Sequence, residues 1–309
     1  VSRWILPAFA VLLLSPCSGE RRSGERAIWV ADRGAGAVHR LGEDLAPRAT
    51  ARCGGFPRLV AALDGGGAWA ACGSGPEPGD PFYLVRIERD GAIWARGGPF
   101  GWVADLAAES GGGAWVADRG NGLLVTVGGD GAVLGTRPVP GILCVERGRR
   151  RVLFGDDAGT VEASPLAGGR AESWRVEGQA TDVREGRDSE VWILDASGGG
   201  RLFRLGAEGE VRLVASLGFA AEHLAVASSG VWVAGTEAPF VRLYAEEGAI
   251  LSESTLPFPG DANFLEAWGG GVLVPIGAAL VDVGPGGEVR RSRAGFGELA
   301  GIAVSREAR

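Results

Sequence analysis

The amino-acid sequence predicts an all-β fold, a seven-bladed β-propeller of four-stranded antiparallel blades, closed by a C-terminal strand pairing with the N-terminal blade. Three observations lead there. An apolar motif returns about every forty residues. Gly makes up 54 of the 309 residues and gathers between short apolar runs, with no collagen-like period, as tight turns between short strands require. The last apolar run supplies the strand that the first repeat lacks. Length alone would suggest two domains, but a regular repeat overrides that expectation.

Before the repeats, residues 1–19 read as an export signal. Arg3 gives a small positive start, and Trp4 to Leu14 is an apolar run too short to span a bilayer as a mature helix. Leu14-Ser15-Pro16-Cys17 resembles a bacterial lipobox, in which the Cys is lipidated. Pro16 departs from the usual Gly, Ala or Ser. Cleavage after Gly19 is the competing reading, and both stay open. Residues 20–26 form a polar linker, and residues 27–309 form the propeller. The expectation is an exported protein of the bacterial cell envelope, periplasmic or anchored as a lipoprotein. It meets a membrane only through a lipid on Cys17.

The motifs are Ala27-Ile28-Trp29-Val30-Ala31-Asp32, Ala68-Trp69-Ala70-Ala71, Ala114-Trp115-Val116-Ala117-Asp118, Val152-Leu153-Phe154-Gly155, Val191-Trp192-Ile193-Leu194-Asp195, Val231-Trp232-Val233-Ala234 and Val272-Leu273-Val274. From Trp29 through Trp69, Trp115, Leu153, Trp192 and Trp232 to Leu273 the steps are 40, 46, 38, 39, 40 and 41 residues. Four short strands in a period near forty are the propeller signature. The sixth unit reads as Leu224–Ala227, Val231–Gly235, Val241–Tyr244 and Ala249–Thr255. The motif strands are apolar at consecutive positions, as strands covered on both faces should be. Their Trp side chains are expected between blades. The first unit starts at its second strand, and Leu299-Ala300-Gly301-Ile302-Ala303-Val304-Ser305 is left over as its inner strand. Pairing the two removes two exposed edges.

This order of a Gly-Ile-Ala-Val-like strand, a glycine turn, a Trp-Val-Ala-Asp strand and a Val-x-Arg-Leu strand resembles NHL-type and YncE-like propellers, with streptogramin lyases as more distant relatives. The resemblance runs from Ala27 to Arg309. It implies that the outer-to-inner connections and the second-to-third-strand loops share one face, and that ligands bind there over the channel. Aligned inner strands bring Leu59, Asp105, Gly141, Asp182, His223, Phe264 and Gly301 to that mouth. Arg58, Glu222 and Asn263 stand one residue before their blade's position. Arg58, Asp105, Asp182, Glu222, His223 and Asn263 are therefore the candidate ligand-binding residues. No cofactor is expected, although such oxygen and imidazole groups suit Ca²⁺, Mg²⁺ or Mn²⁺. The lyases imply a His/Glu/His cluster with a divalent ion. Of the two histidines here, His39 falls in a third strand, away from the channel. Gluconolactonase-like propellers offer an acidic and Asn metal site but have six blades.

Recurrent Asp32, Asp118, Asp156, Asp157 and Asp195, each followed closely by Gly, fit Asx-type turns. The longest unit owes its length to Gly73 to Phe82, with Pro76, Pro78 and Pro81 in one loop on the ligand face. Cys53 and Cys72 reach the same face on neighbouring blades and form a candidate disulfide. Cys144 reads as a buried small hydrophobe. Arg147, Arg149, Arg150 and Arg151 read as a solvated turn. With a net charge of −7 and no wider basic stripe, nucleic-acid binding is not expected. The combined reading is a monomeric, non-enzymatic scaffold that holds an unknown protein or small ligand on its loop face. The alternative is a metal-dependent lyase or lactonase acting at the channel mouth.

Overall fold

The computed structural model describes residues 26–305 apart from 76, 78, 207, 237, 238 and 263. The signal segment with Cys17, and Asn263, Pro76 and Pro78, lie outside the described residues. Each period folds as one blade. β1 (Ile28–Asp32), β2 (Ala37–Leu41) and β3 (Pro47–Arg52) belong to blade 1. Blade 2 is β4 (Phe56–Ala62), β5 (Ala68–Gly73), β6 (Phe82–Ile87) and β7 (Ile93–Phe100). Blade 3 is β8 (Val103–Ala108), β9 (Ala114–Asp118), β10 (Leu123–Val127) and β11 (Val133–Pro138). Blade 4 is β12 (Ile142–Arg147), β13 (Arg151–Asp156), β14 (Thr160–Pro165) and β15 (Glu172–Arg175). Blade 5 is β16 (Asp182–Glu185), β17 (Val191–Asp195), β18 (Arg201–Leu205) and β19 (Val211–Ser216). Blade 6 is β20 (Leu224–Ala227), β21 (Gly230–Ala234), β22 (Phe240–Tyr244) and β23 (Ile250–Thr255). Blade 7 is β24 (Glu266–Trp268), β25 (Gly271–Ile276), β26 (Ala279–Val283) and β27 (Val289–Ala294). The last strand, β28 (Leu299–Val304), pairs with β1 and completes blade 1 in the order β28-β1-β2-β3.

The ring is therefore closed as expected. Trp29 faces Ala303, and Val30 faces Ile302. Beyond the ladder, Ala27 N–H donates to Ser305 Oγ at 2.8 Å, and Ser305 N–H returns a bond to Ala27 O at 2.9 Å.

Second strands carry the consecutive apolar residues because they are covered from both sides; β1, β5, β17 and β25 are buried along their whole length. Outer strands meet water, and β11 is exposed throughout. The motif side chain of each blade packs into the next. Trp29 joins blade 2 residues such as Val60 and Val85, Trp69 joins Val116 and Val127 of blade 3, and Trp115 packs against Val145 and Val152 of blade 4. Leu153, Trp192, Trp232 and Leu273 continue the series into blades 5, 6, 7 and 1. Trp29, Trp69, Trp192 and Trp232 are at most 1% exposed. A buried indole hides on the order of 200 Å². The series is thus the main apolar adhesive between blades.

Three of the recurrent aspartates, Asp32, Asp118 and Asp195, make their Asx turns and a second link as well. Asp32 Oδ1 accepts Ala35 N–H at 2.9 Å, while its two oxygens also accept Gly297 and Glu298 N–H from the loop entering β28. Asp118 accepts Asn121 N–H and reaches Gly101 N–H, before β8. Asp195 accepts Ser197 N–H and Gln179 N–H, before β16. Each is at most 2% exposed. The backbone N–H donors satisfy each buried carboxylate. It clamps the turn after the second strand to the crossover entering its own blade.

Deleting residues 297–309 removes β28 and should cost at least ~5 kcal/mol, since two large apolar side chains and a strand edge are exposed together. In a thermal melt the cooperative transition should broaden or vanish. Ser305→Ala should keep the transition and cost about 1–2 kcal/mol for the unsatisfied Ala27 N–H.

Candidate functional site at the central channel

The inner strands β28, β4, β8, β12, β16, β20 and β24 surround a central channel. Their register against the second strands places Gly301, Leu59, Asp105, Cys144 and Asp182 at one level. Continuing the ladders β20–β21 and β24–β25 outward puts His223 and Phe264 at the same level. One expected position is corrected. Blade 4 contributes Cys144, not Gly141: Cys144 pairs with Gly155 as Asp105 pairs with Ala117, and Gly141 turns the chain at φ +71° before the strand.

The acidic members of this layer join blades. Asp105 Oδ2 accepts Val145 N–H of blade 4 at 2.9 Å, and its Oδ1 accepts Leu106 N–H at 2.8 Å. Asp182 Oδ2 accepts Leu224 N–H of blade 6 at 2.9 Å. Cys144 Sγ donates to Ala180 O of blade 5 at 3.3 Å, so the thiol does more than fill apolar space. Burial pushes the Asp105 carboxyl up to about 6; the Asp182 charge adds to the rise, and Arg184 and His223 oppose it.

Residues two further along lie on the same strand face and form the next layer: Ala61, Ala107, Glu146, Arg184, Ala225, Glu266 and Ala303. Four alanines leave room, and all seven residues line a cavity of about 260 Å³. Arg184 is its hub, 3.1 Å from Glu146 Oε2 and 3.4 Å from Asp182 Oδ1. Burial alone would lower the guanidinium's pKa, but Asp182, Glu146, Asp105 and Glu266 together raise it well above the ordinary value. It stays charged.

Both ends of this chamber are narrowed. On the crossover face, His223 stacks on Phe264 with ring centres 4.2 Å apart and planes 22° from parallel. His223 Nδ1 lies 3.4 Å from Asp182 Oδ2. Phe264 packs against the blade 2–blade 3 core and the blade 7–blade 1 core, so it reaches across the mouth. On the hairpin face, Arg147 of blade 4 pairs with Asp64 of blade 2 at 3.2 Å, spanning past blade 3. The arginine turn is therefore anchored, not merely solvated. Arg151 also binds Glu185 at 2.9 Å, and Arg149 N–H donates to the same carboxylate. A shallower cleft of about 730 Å³ lies on this hairpin face between blades 4 and 5, with Arg151, Trp174 and Asp188 in its wall.

Of the sequence-predicted residues, Asp182 and His223 come together, with Asp105 in their field. Glu222 is exposed beside them. Arg58 stands apart, its guanidinium 4.4 Å over the Trp102 ring. Burial and nearby Arg33 hold Arg58 below the usual arginine pKa, against the pull of Glu298. His39 bonds Thr50 Oγ1 at 2.9 Å in β2, away from the channel as expected. Sequence reasoning did not single out Arg184, Glu146, Glu266 or Trp102. The two-residue spacing from Asp182 to Arg184 was the available signal. Among the described residues no three His, Cys, Asp or Glu side chains gather as a metal-ligating group.

No protein-family model matches the sequence, and no curated protein matches it. Solved structures share the fold. Virginiamycin B lyase from Staphylococcus aureus is 15% identical, over 62% of this chain and 69% of that one, with a TM-score of 0.54. BamB from Moraxella catarrhalis is 17% identical, over 88% and 86%, with a TM-score of 0.60. A functionally unknown protein from Desulfotomaculum acetoxidans is 11% identical, over 91% and 99%, with a TM-score of 0.69. The likeness to the lyase is a likeness of fold.

The raised Asp105 pKa makes a signed prediction. Its folded value lies above the unfolded one, so its favourable contribution is complete below about pH 4 and is lost as pH rises through about 6. Relative to Asp105→Asn, the wild-type protein should lose about 2–3 kcal/mol between those pH values. Urea unfolding of both proteins across that range measures the difference; a flat difference would refute the assignment.

Proposed function

We propose that this chain is an exported, non-enzymatic binding scaffold of the bacterial cell envelope, taking a ligand or protein partner on its crossover face. One observation carries the reading. The carboxylates best placed for catalysis at the mouth, Asp105 and Asp182, are engaged by backbone N–H groups of the next blade. The groups left there for a visitor are planar and already stacked: Arg58 on Trp102 and His223 on Phe264, with Glu222 exposed beside them. Pre-ordered flat groups lose little rotamer freedom on binding, which favours recognition. A metal-dependent lyase or lactonase at the same mouth needs a second base near His223, and His39 is held in β2 of blade 1.

The test is a thermal-shift screen of the full chain against anionic, aromatic and peptide ligands, repeated on Arg58→Ala and His223→Ala. A ligand that stabilises the wild type should bind each variant about tenfold more weakly, as expected for ~1.4 kcal/mol of lost stacking. The unliganded melting temperatures should stay close to wild type. Binding untouched by either change would overturn the site. A shift of several degrees with Ca²⁺, Mg²⁺ or Mn²⁺ alone would turn the reading toward the metal-dependent alternative. For the export part, intact mass of the envelope-extracted protein should show a lipid on Cys17 or a terminus after Gly19; an uncleaved terminus would refute both.

A further inference from the structure

The end of each second strand is a structural position of its own. It is Asp32, Cys72, Asp118, Asp156, Asp195, Gly235 and Ile276 around the ring. In blades 1, 3 and 5 the aspartate there clamps the incoming crossover through backbone N–H groups. Blade 2 has no carboxylate at that place; it has a thiol. Its crossover contains the other thiol. Cys53 follows β3 directly, and Gly54-Gly55 then turns the chain into β4. The crossover runs close over Cys72: a Cβ on Gly55 would stand 3.8 Å from the Cys72 Cβ and would collide with Gly73 O.

The two thiols share one dry site. Cys53 is 1% exposed and Cys72 3%, and both belong to the apolar cluster joining blades 1 and 2 with Ala31, Ala51 and Ala70. Each thiol is the first influence on the other's ionisation, and both are free cysteines. Cys53 Sγ also lies 3.8 Å from Gly36 O and from Gly55 O. Cysteines that share one buried cluster, on segments packed this closely, reach the ~2 Å S–S bond by side-chain rotation with a small shift of the crossover.

We propose that Cys53 and Cys72 are the reduced form of a disulfide that staples the blade 1–blade 2 crossover to the second strand of blade 2, the covalent counterpart of the aspartate clamp. The chemistry is thiol–disulfide exchange with a small disulfide such as oxidised glutathione. The Cys53 thiolate attacks one sulfur of that disulfide and expels one glutathione thiolate, which is protonated. Cys72 gives up its proton and attacks Cys53 Sγ in the mixed disulfide, expelling the second glutathione. The two cysteines lose two hydrogens and two electrons, and one glutathione disulfide becomes two thiols. The order of attack follows from the local field. The neighbouring Cys72 thiol, with Arg96 nearby, lowers the Cys53 pKa, whereas Cys53 and burial raise Cys72. Thiolate character sets which sulfur attacks.

The full chain, reduced and unfolded in denaturant, is refolded with and without oxidised glutathione so that the thiols meet it before burial, then quenched in acid, alkylated in denaturant and cleaved after arginine. Cleavage releases Cys53–Arg58 and Leu59–Arg86. After oxidation these two peptides should appear joined, and reduction should separate them. The oxidised protein should melt on the order of 5 °C higher, as a disulfide closing a short loop allows. Cys144→Ala and Cys17→Ala should keep the joined peptide, and Cys53→Ser should abolish it. Full alkylation of both peptides after oxidation would overturn the proposal. So would a Cys53 bond to Cys17 or Cys144, or glutathione remaining on Cys53. The outcome is independent of what the crossover face binds.

Discussion

Everything in this molecule depends on each blade finding its apolar cover in the next one. A four-stranded sheet with a second strand like β5, buried on both faces, cannot be stable alone. The Trp or Leu at the motif position meets that need by inserting forward, from Trp29 into blade 2 round to Leu273 against blade 1. Burial of this kind is non-directional, so it brings sheets together without fixing their angle. The angle comes from polar links. Aspartates at the strand ends tie crossovers down, and Asp105 and Asp182 reach from one inner strand to the next. Hydrophobic packing and a small set of buried carboxylates thus divide the work between cohesion and geometry.

That division explains what could be read from the residues. The blade number, the strand order within the sixth unit and the closing role of β28 all follow from apolar periodicity, which one chain displays openly. The ends of the channel needed contacts between residues far apart in sequence. Nothing local marks Asp64 as the partner of Arg147, or Phe264 as the side chain that reaches across the mouth. The slip at Gly141 has a local cause. β4, β8 and β12 all bulge just before this level, but the hairpin from Glu146 to Leu153 is one residue shorter than those from Ala61 to Trp69 and from Ala107 to Trp115, so a count carried over from those blades misses Cys144. The aspartates were legible as turn formers because a turn is local; their second bonds, to crossovers some 16 or 17 residues earlier in Asp195 and Asp118, were not.

Within the channel, side-chain size matters as much as charge. Alanines at four of the seven places in the second layer leave the space into which Arg184 extends toward Glu146. Asp182 lies against Arg184 as well, so the same arginine couples the carboxylate link of one layer to the charged cluster of the next. Burial makes each such charge costly unless it is paired. The pairing around Arg184 therefore acts as a rigid core to the ring, and through Asp182 it borders His223 in the layer above.

Blade 1 is assembled from β28 and β1, so it is the one sheet made from opposite ends of the described chain. During vectorial synthesis, blades 2 to 7 can emerge and stack in order while β1–β3 wait without their inner partner. Until β28 leaves the ribosome, the assembly remains a crescent with two sticky rims. A chain of this design needs either rapid completion or a holding chaperone to reach its closed form. Clones lacking the final strand should accumulate in inclusion bodies before they accumulate as folded protein.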